Sequence, residues 1–217
     1  NVTMAGTLGV TGVTTVANIN SSGTIVASST ASQGFRAERN GTTGGANIDS
    51  VLSSGSLHFR TGTTERMKID STGAITMPNQ PAFLAIPDDA QLNLPLSATT
   101  TIVFGTEVFD QNSDFASNTF TAPVTGKYQL NASVYLQSVD ASTGFYQLYI
   151  TTSNRNHLAI FSGNELAADP AYKNLSLSIL TDMDAGDTAI VQMQLDAGGN
   201  AQADVSNQAR FSGYLVA

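Results

Sequence analysis

The side chains that could carry out catalysis are scarce in this chain. Its 217 residues include no cysteine and only two histidines, His58 and His157. Without cysteine there can be no thiolate zinc site, disulfide or cysteine nucleophile, and two isolated histidines offer almost nothing for a Ser-His-Asp triad. The glycine-rich residues 41–45 lack the Lys-Ser/Thr ending of a phosphate-binding loop. We therefore expect that the chain is not an enzyme, with glycan hydrolysis by two carboxylates as the enzymatic alternative.

Oxygen ligands are more plentiful, and two loops rich in them could bind Ca²⁺. The candidate ligands are Asp196, Asn200, Asp204 and Asn207 in a glycine-rich loop, and Asp182, Asp184 and Asp187 in an earlier turn. Solvated acidic turns are the commoner explanation for such groups. We therefore expect no cofactor and no catalytic or metal site, and keep Ca²⁺ bound by Asp196, Asn200 and Asp204 as the alternative.

The net charge of the chain bears on which kinds of partner it could bind. The formal net charge is −8, with 9 Lys and Arg residues against 17 Asp and Glu residues. The Lys/Arg clusters that nucleic-acid phosphates require are absent, so we expect no nucleic-acid binding. No stretch approaches the roughly 18 consecutive apolar residues of a membrane helix, and we expect no membrane insertion. What remains is recognition of another molecule through polar and aromatic side chains in loops.

Strands in the C-terminal part of the chain supply the framework that would position such loops. In residues 128–137 the apolar Leu130, Ala132, Val134 and Leu136 alternate with more polar residues, which predicts a half-buried strand. The same period recurs in four later segments, and Gly, Asn, Asp and Pro mark the turns between them. About eight to ten strands in roughly 137 residues predict an all-β sandwich of the jelly-roll type.

The first 77 residues have a different composition. They contain no proline and no tyrosine, and Gly, Ser and Asn separate short Thr- and Val-rich segments that predict strands. Their large apolar side chains are too few to offset the entropy lost when one chain is ordered alone. The segment is therefore either a flexible linker or an elongated β structure that closes only when identical chains share their apolar edges.

Two motifs in this first part resemble bacteriophage tail fibres. Residues 7–14, TLGVTGVT, look like the repeating strand units of tail-fibre shafts. Residues 65–73, ERMKIDSTG, are similar to the ERMRIDSSGN stretch that recurs near the distal end of phage and prophage tail fibres. Met67 and Ile69 alternate there with charged residues, so that one face is apolar and the other charged. The alternative is an ordinary β-hairpin with one polar face.

Motifs spread over residues 81–217 resemble the C1q-like globular domain, in the order found in that family. They are PAFLA at 81–85, IVF at 102–104, FTAPVTGKY at 120–128, DMDAGDTAIV at 182–191 and FSGYLV at 211–216. Their residues also have ordinary structural roles. Phe120 and Tyr128 supply core area, and Gly213 is expected where another group approaches the last strand closely.

The resemblances imply a two-part architecture. Residues 80–217 would form a ten-stranded C1q-like jelly roll that assembles as a homotrimer, and residues 1–79 an elongated, intertwined β shaft before it. The chain lacks the Gly-X-Y repeat of a collagen stalk, so the shaft would take the place of collagen. If the family strand order holds, residues 137–144, 162–171 and 196–208 form the surface distal to the shaft.

The function implied is that of the trimeric distal end of a phage tail fibre, which binds a host cell-surface glycan or protein through the outer loops of its head. The candidate receptor-binding residues are Asp140, Ser142, Asn164, Tyr172, Asn200 and Gln202. Other tail proteins would precede Asn1, and the fibre would belong to the virion after assembly in the bacterial cytoplasm. The alternatives are a trimerisation clamp without receptor binding, a bacterial surface or spore-coat C1q-like protein and, as the weakest, a glycan hydrolase.

Overall fold

The computed structural model describes residues 55–196 and 203–217, together with the backbone of three earlier strands. These strands are β1 (Ile25–Thr30), β2 (Gln33–Asn40) and β3 (Gly45–Ser50), which form one antiparallel sheet in the order β1-β2-β3. The chain divides into two compact units, Asn1–Met77 and Pro78–Ala217. No helix in the part of the chain that the structure describes is long and apolar enough to cross a membrane.

A second small sheet lies at the end of the first unit. Its strands are β4 (Leu57–Thr61), β5 (Thr64–Ile69) and β6 (Ile75–Thr76), paired antiparallel in chain order. The turn after β5 is capped by Asp70, whose Oδ1 accepts hydrogen bonds from the backbone N–H groups of Thr72 (2.8 Å) and Ala74 (3.0 Å). Both small sheets pair strands of the same chain, and the intertwining of different chains stays a prediction.

The regular secondary structure of the second unit, in the residues described, consists of strands and one short 3-10 turn. Its strands in the described residues are β7 (Ala82–Ile86), β8 (Thr99–Thr101), β9 (Thr106–Asp110), β10 (Phe115–Ala116), β11 (Thr119–Thr121), β12 (Gly126–Gln137), β13 (Tyr146–Thr152), β14 (Asn156–Phe161), β15 (Tyr172–Met183), β16 (Thr188–Leu195), β17 (Asp204–Val205) and β18 (Arg210–Leu215). A single 3-10 turn, Gly163–Glu165, lies between β14 and β15.

These strands form two sheets that pack face to face. One has the order β15-β12-β18-β7-β9, with β17 pairing β12, and the other has the order β10-β11-β16-β13-β14, with β8 pairing β16. Most neighbours within a sheet are distant in sequence, as in a jelly roll. The predicted all-β jelly-roll sandwich is therefore confirmed. The two main paths contain ten strands, the number expected, and the two short additional strands lie off them.

Aromatic rings and aliphatic side chains from both sheets fill the space between them. The ring centroid of Phe83 lies 5.0 Å from that of Phe115 and 4.8 Å from that of Phe120. The close approach expected at Gly213 is confirmed, because a β-carbon there would lie 2.6 Å from Leu130 Cδ2 and 2.8 Å from a ring carbon of Phe83. The strand alternation seen in the sequence thus builds one continuous core.

Candidate recognition site

Two loops leave the sandwich at the same end. The last residue of β12 pairs with the first residue of β15, and the first residue of β13 pairs with the last residue of β14. The β12–β13 loop, residues 138–145, therefore lies beside the β14–β15 loop, residues 162–171. The strand register thus brings together two of the three segments that the family resemblance assigned to one surface.

A buried tyrosine holds the first of these loops in place. The Tyr146 hydroxyl accepts a hydrogen bond from the backbone N–H of Asp140 (2.9 Å) and donates one to the backbone carbonyl of the same residue (3.1 Å). The Asp140 carboxylate in turn accepts hydrogen bonds from the N–H of Ser142 (2.7 Å) and from its hydroxyl (2.6 Å). Because the tyrosine belongs to a core strand, the loop is anchored to the sandwich.

The two loops are also tied to each other. The backbone N–H of Ala141 donates a hydrogen bond to Asp169 Oδ1 (2.8 Å), and the Ser162 hydroxyl donates one to the backbone carbonyl of Gly144 (3.1 Å). Gly163 packs against the backbone of Thr143 so closely that a β-carbon there would overlap the Thr143 carbonyl oxygen. The pair of loops therefore forms one preorganised unit.

A cleft of about 350 Å³ opens between these loops. Its wall consists of the residues Ser138, Val139, Asp140, Asp169, Pro170 and Ala171. The cleft combines apolar surface with two carboxylates, and its volume falls in the range of small-molecule sites. Ionised carboxylates accept hydrogen bonds but donate none, so the wall suits a ligand rich in hydroxyl or amide donors.

An aromatic pair lies on the outer side of the sheet β15-β12-β18-β7-β9, at the start of β15. Tyr172 directly follows the cleft residue Ala171, its side chain is 56 % exposed, and its ring centroid lies 5.6 Å from that of Tyr135. Exposed tyrosine rings offer an apolar face together with a polar tip, a combination common at recognition sites.

The structure places the predicted receptor-binding residues as follows. Asp140 lines the cleft, and Ser142 donates a hydrogen bond to the Asp140 carboxylate. Tyr172 directly follows the cleft residue Ala171, and Asn164 is exposed in the 3-10 turn of the neighbouring loop. Asn200 and Gln202 lie outside the described residues.

Of the six residues that line the cleft, only Asp140 was among the predicted receptor-binding residues; Ser138, Val139, Asp169, Pro170 and Ala171 were not. Asp169 precedes Pro170 and reads as an ordinary turn signal. The family resemblance placed residues 137–144 and 162–171 on one surface, but no residue pattern marks the contact between Asp169 and Ala141. The pairing register of β12 with β15 determines which residues of the two loops meet. That register cannot be inferred from the pattern of either strand alone.

The carboxylates proposed as Ca²⁺ ligands already have protein partners where they are described. The Asp204 carboxylate accepts hydrogen bonds from the N–H of Asn93 (2.7 Å) and from the Ser138 hydroxyl (3.1 Å). Asp196 packs against Gly144, and Asn200 lies outside the described residues. Within residues 55–196 and 203–217, no three His, Asp or Glu side chains are grouped as metal ligands. Ca²⁺ at Asp196, Asn200 and Asp204 stays a prediction.

The acidic turn between β15 and β16 is likewise held by its own contacts. Asp182 forms an ion pair with Arg155 at 2.8 Å. Asp187 Oδ2 accepts hydrogen bonds from the N–H of Asp184 (2.8 Å) and from the Asn154 amide (2.9 Å). These carboxylates therefore have a structural explanation as turn-stabilising groups.

The ionisable groups whose pKa values the fold shifts most clearly within the second unit lie away from the cleft. Burial, and next to it the negative charge of Asp110, raises the pKa of Asp114. Burial also raises the pKa of Tyr128, whose hydroxyl donates a hydrogen bond to the carbonyl of Val124 (2.7 Å). Burial lowers the pKa of His157, and the nearby positive charge of Arg155 adds to this. Tyr128 and His157 lie toward the opposite ends of the strands that lead to the cleft.

Comparison with known proteins identifies the family to which the sandwich is similar. Residues 82–216 match the C1q domain family. The globular domain of zebrafish complement 1qA protein is 18% identical, covering 63% of this chain and 98% of its own, with a TM-score of 0.44. Murine APRIL at pH 8.5 is 15% identical, covering 64% of this chain and 100% of its own, with a TM-score of 0.46. None of the curated proteins matches this chain. Since the C1q domain spans well over half of its residues, the chain belongs to the C1q domain family.

Proposed function

We propose that this chain forms the trimeric distal end of a phage tail fibre and that its C1q domain recognises the host cell surface. C1q and TNF-type domains form homotrimers and bind partners. The observation that carries the proposal for recognition is the cleft of about 350 Å³ between two loops that are tied to each other and to the core. The phage context rests on the tail-fibre motifs at residues 7–14 and 65–73.

Trimer formation is supported by one exposed face of the sandwich. The register of the sheet β15-β12-β18-β7-β9 directs Phe109, Leu84, Tyr214 and Leu180 to its outer side. Three of them are well exposed, Phe109 at 50 %, Tyr214 at 49 % and Leu180 at 57 %. Large apolar side chains gathered on one face mark an interaction surface. The part of this face around Phe109, Tyr214 and Leu180 is therefore the proposed contact between heads, and Tyr172 lies at the opposite end of β15 from Leu180.

Polar side chains run through the middle of the same face and are bonded to one another. Gln129 donates hydrogen bonds to Ser178 (2.9 Å) and Asn131 (3.1 Å), and Ser178 donates one to Asn131 (2.7 Å). Such internally bonded groups can be covered without leaving lone donors or acceptors. The polar strip is thus compatible with burial between subunits.

The proposed ligand of the cleft is a host glycan. Its hydroxyl groups would donate to the carboxylates of Asp169 and Asp140, and its apolar ring faces would pack on Pro170 and Tyr172. Three copies of the site would strengthen a weak single-site affinity. Binding through such a site requires no catalytic group, in line with C1q and TNF-type domains being binding and structural modules.

Binding of the purified chain to a panel of bacterial cells tests recognition. Asp169→Asn keeps the oxygen that accepts from Ala141 but removes the charge, and Tyr172→Ala removes the ring of the residue that follows Ala171. We expect each variant to lose about tenfold or more in cell binding. Asp182→Asn, at an exposed position near the far end of β15, serves as the control and should bind like the unchanged chain. Equal binding by all variants would move the receptor site away from the cleft, and sugar release from host envelopes would point instead to hydrolysis.

A second candidate is a trimerisation clamp without receptor binding, favoured by the exposed apolar face around Phe109, Tyr214 and Leu180. In that case the intact chain forms trimers but binds none of the cells tested. Placement in the virion, rather than on a bacterial surface or spore coat, is checked by searching purified phage particles for this chain with mass spectrometry.

A further inference from the structure

The small sheet of β4, β5 and β6 has one apolar face. Leu57 pairs with Ile69, which pairs with Ile75 on the next strand, and Phe59 pairs with Met67. Directly paired residues project from the same side of a sheet, so these five side chains form one patch, here called the neck face. Phe59 is 40 % exposed and Ile75 is 59 % exposed. None of the five is fully buried.

The opposite side of this sheet is polar. His58 pairs with Lys68, and Lys68 with Thr76, which gives a row of hydrophilic residues across the three strands. The sheet therefore has one side suited to water and one side suited to a partner. A sheet is stable only when its apolar face packs against a second layer. The neck face thus requires an occupant.

The chain connection indicates which occupant is available. Residues 77–81 alone separate the end of β6 from the start of β7. Five or six extended residues span at most about 20 Å. Three heads in a trimer would therefore hold three copies of the neck face within short reach of one another, at a high effective concentration. A second and third copy of the same face are the partners that assembly supplies.

We infer that the neck faces of three chains pack against one another and form a closed apolar core around the threefold axis, with the Lys68 rows facing water. The inference rests on the proposed trimer. Each sheet keeps its hydrogen-bonded strands within one chain, so the neck closes by packing of faces and not by exchange of strands. Three equivalent heterologous contacts complete a ring, which leaves no apolar face exposed.

Single cysteines in the full-length chain test this packing, because the chain has no cysteine of its own. Met67→Cys places a thiol on the neck face, and Lys68→Cys places one on the next residue of the same strand but on the polar side. We expect a short bismaleimide to link two chains of the Met67→Cys trimer covalently, and to leave Lys68→Cys largely unlinked. The oligomeric state of each variant is measured in parallel by analytical ultracentrifugation.

The outcomes separate the neck from the head. If both variants are trimeric and Met67→Cys is cross-linked no more than Lys68→Cys, the neck packing is overturned but the proposed trimer is not. A monomeric full-length chain overturns both. A trimer with selective linkage at Met67 supports the inference.

Limited proteolysis of a second variant with chymotrypsin, which cleaves after aromatic residues and leucine and therefore gains or loses no site in the variants, provides an independent measurement. Ile69→Lys puts a charge into the centre of the neck face, and we expect cleavage within residues 55–80 at least tenfold faster than in the unchanged chain, with release of a trimeric head. Lys68→Ala is the matched control and should be cleaved like the unchanged chain. Equal cleavage rates in all three proteins would overturn the inference.

Discussion

Asp114 illustrates how one carboxylate can link the stability of a fold to pH. Its Oδ2 is buried without a hydrogen-bond partner, and burial together with the charge of Asp110 raises its pKa. A raised pKa means that folding favours the protonated form. The stabilising contribution is therefore complete below the ordinary aspartate pKa of about 3.9 and is lost as the pH rises through the raised value.

Replacing this carboxylate with a neutral amide removes the charge that folding disfavours. We expect Asp114→Asn to raise the thermal midpoint at pH 7 by a few degrees and to leave it nearly unchanged at pH 3, where the native side chain is itself protonated. Calorimetry at the two pH values measures the difference. Asp89→Asn, at an exposed position, should change the midpoint little at either pH, and an equal gain at pH 3 and pH 7 would contradict the explanation.

The buried hydroxyl of Tyr146 leads to a second prediction, on the stability of the fold. Tyr146→Phe leaves the buried N–H of Asp140 without its acceptor, and we expect a loss of about 1–3 kcal/mol in the free energy of unfolding. Tyr149→Phe is the control, because its hydroxyl bonds to the glutamine side chains of Gln147 and Gln194 on the outer surface. Urea titration compares the two variants. A cost for Tyr149→Phe as large as that for Tyr146→Phe would show that the buried position is not decisive.

The loops and strands show what a sequence can and cannot disclose about such a site. The long alternation in residues 128–137 identifies β12 because one of its faces is buried along its whole length. The two-residue strands β10 and β17 are too short to produce any period. The cleft depends on Val139 and Asp169, which meet only because β12 and β15 pair in one register. Turn signals mark both loops but not the contact between them.

The contact between the β12–β13 loop and the β14–β15 loop gives a further prediction. Gly163→Ala would push a methyl group into the Thr143 carbonyl, and we expect a loss of about 1–3 kcal/mol in stability, as for other overpacked positions, with weaker cell binding. Asn164→Ala changes the next residue of the same turn, where the side chain is exposed, and should cost less than about 0.5 kcal/mol. Urea titration measures the free energy of unfolding of both variants. No loss in Gly163→Ala would mean that the loops separate freely.

The two units of the chain differ in how much apolar surface each one buries. The second unit has a continuous core of buried side chains from two sheets, whereas the described sheet β4–β6 has a single layer with an apolar face. Stability should follow this division, because burial of apolar area is the main favourable term in folding. The head is therefore the part able to fold without the other.

Cutting the chain at the unit boundary measures this difference. We expect residues 78–217 to unfold cooperatively at close to the midpoint of the intact chain and to remain trimeric. Residues 1–77 should be monomeric and show no cooperative transition. Calorimetry and analytical ultracentrifugation of both fragments provide the measurements. A stable trimer of residues 1–77 would mean that the neck, not the head, holds the chains together.

The position of β7 within its sheet has a mechanical consequence. The chain enters the sandwich through β7, and this strand is hydrogen-bonded on both sides, to β18 and to β9. A pulling force applied at residue 81 is therefore shared by two ladders of hydrogen bonds, which resist shear together instead of opening one at a time. Optical-tweezer pulling through residue 81 should require a higher rupture force than pulling through the edge strand β14. In the proposed fibre, tension from a bound cell would therefore enter the sandwich through a strand that is held on both sides.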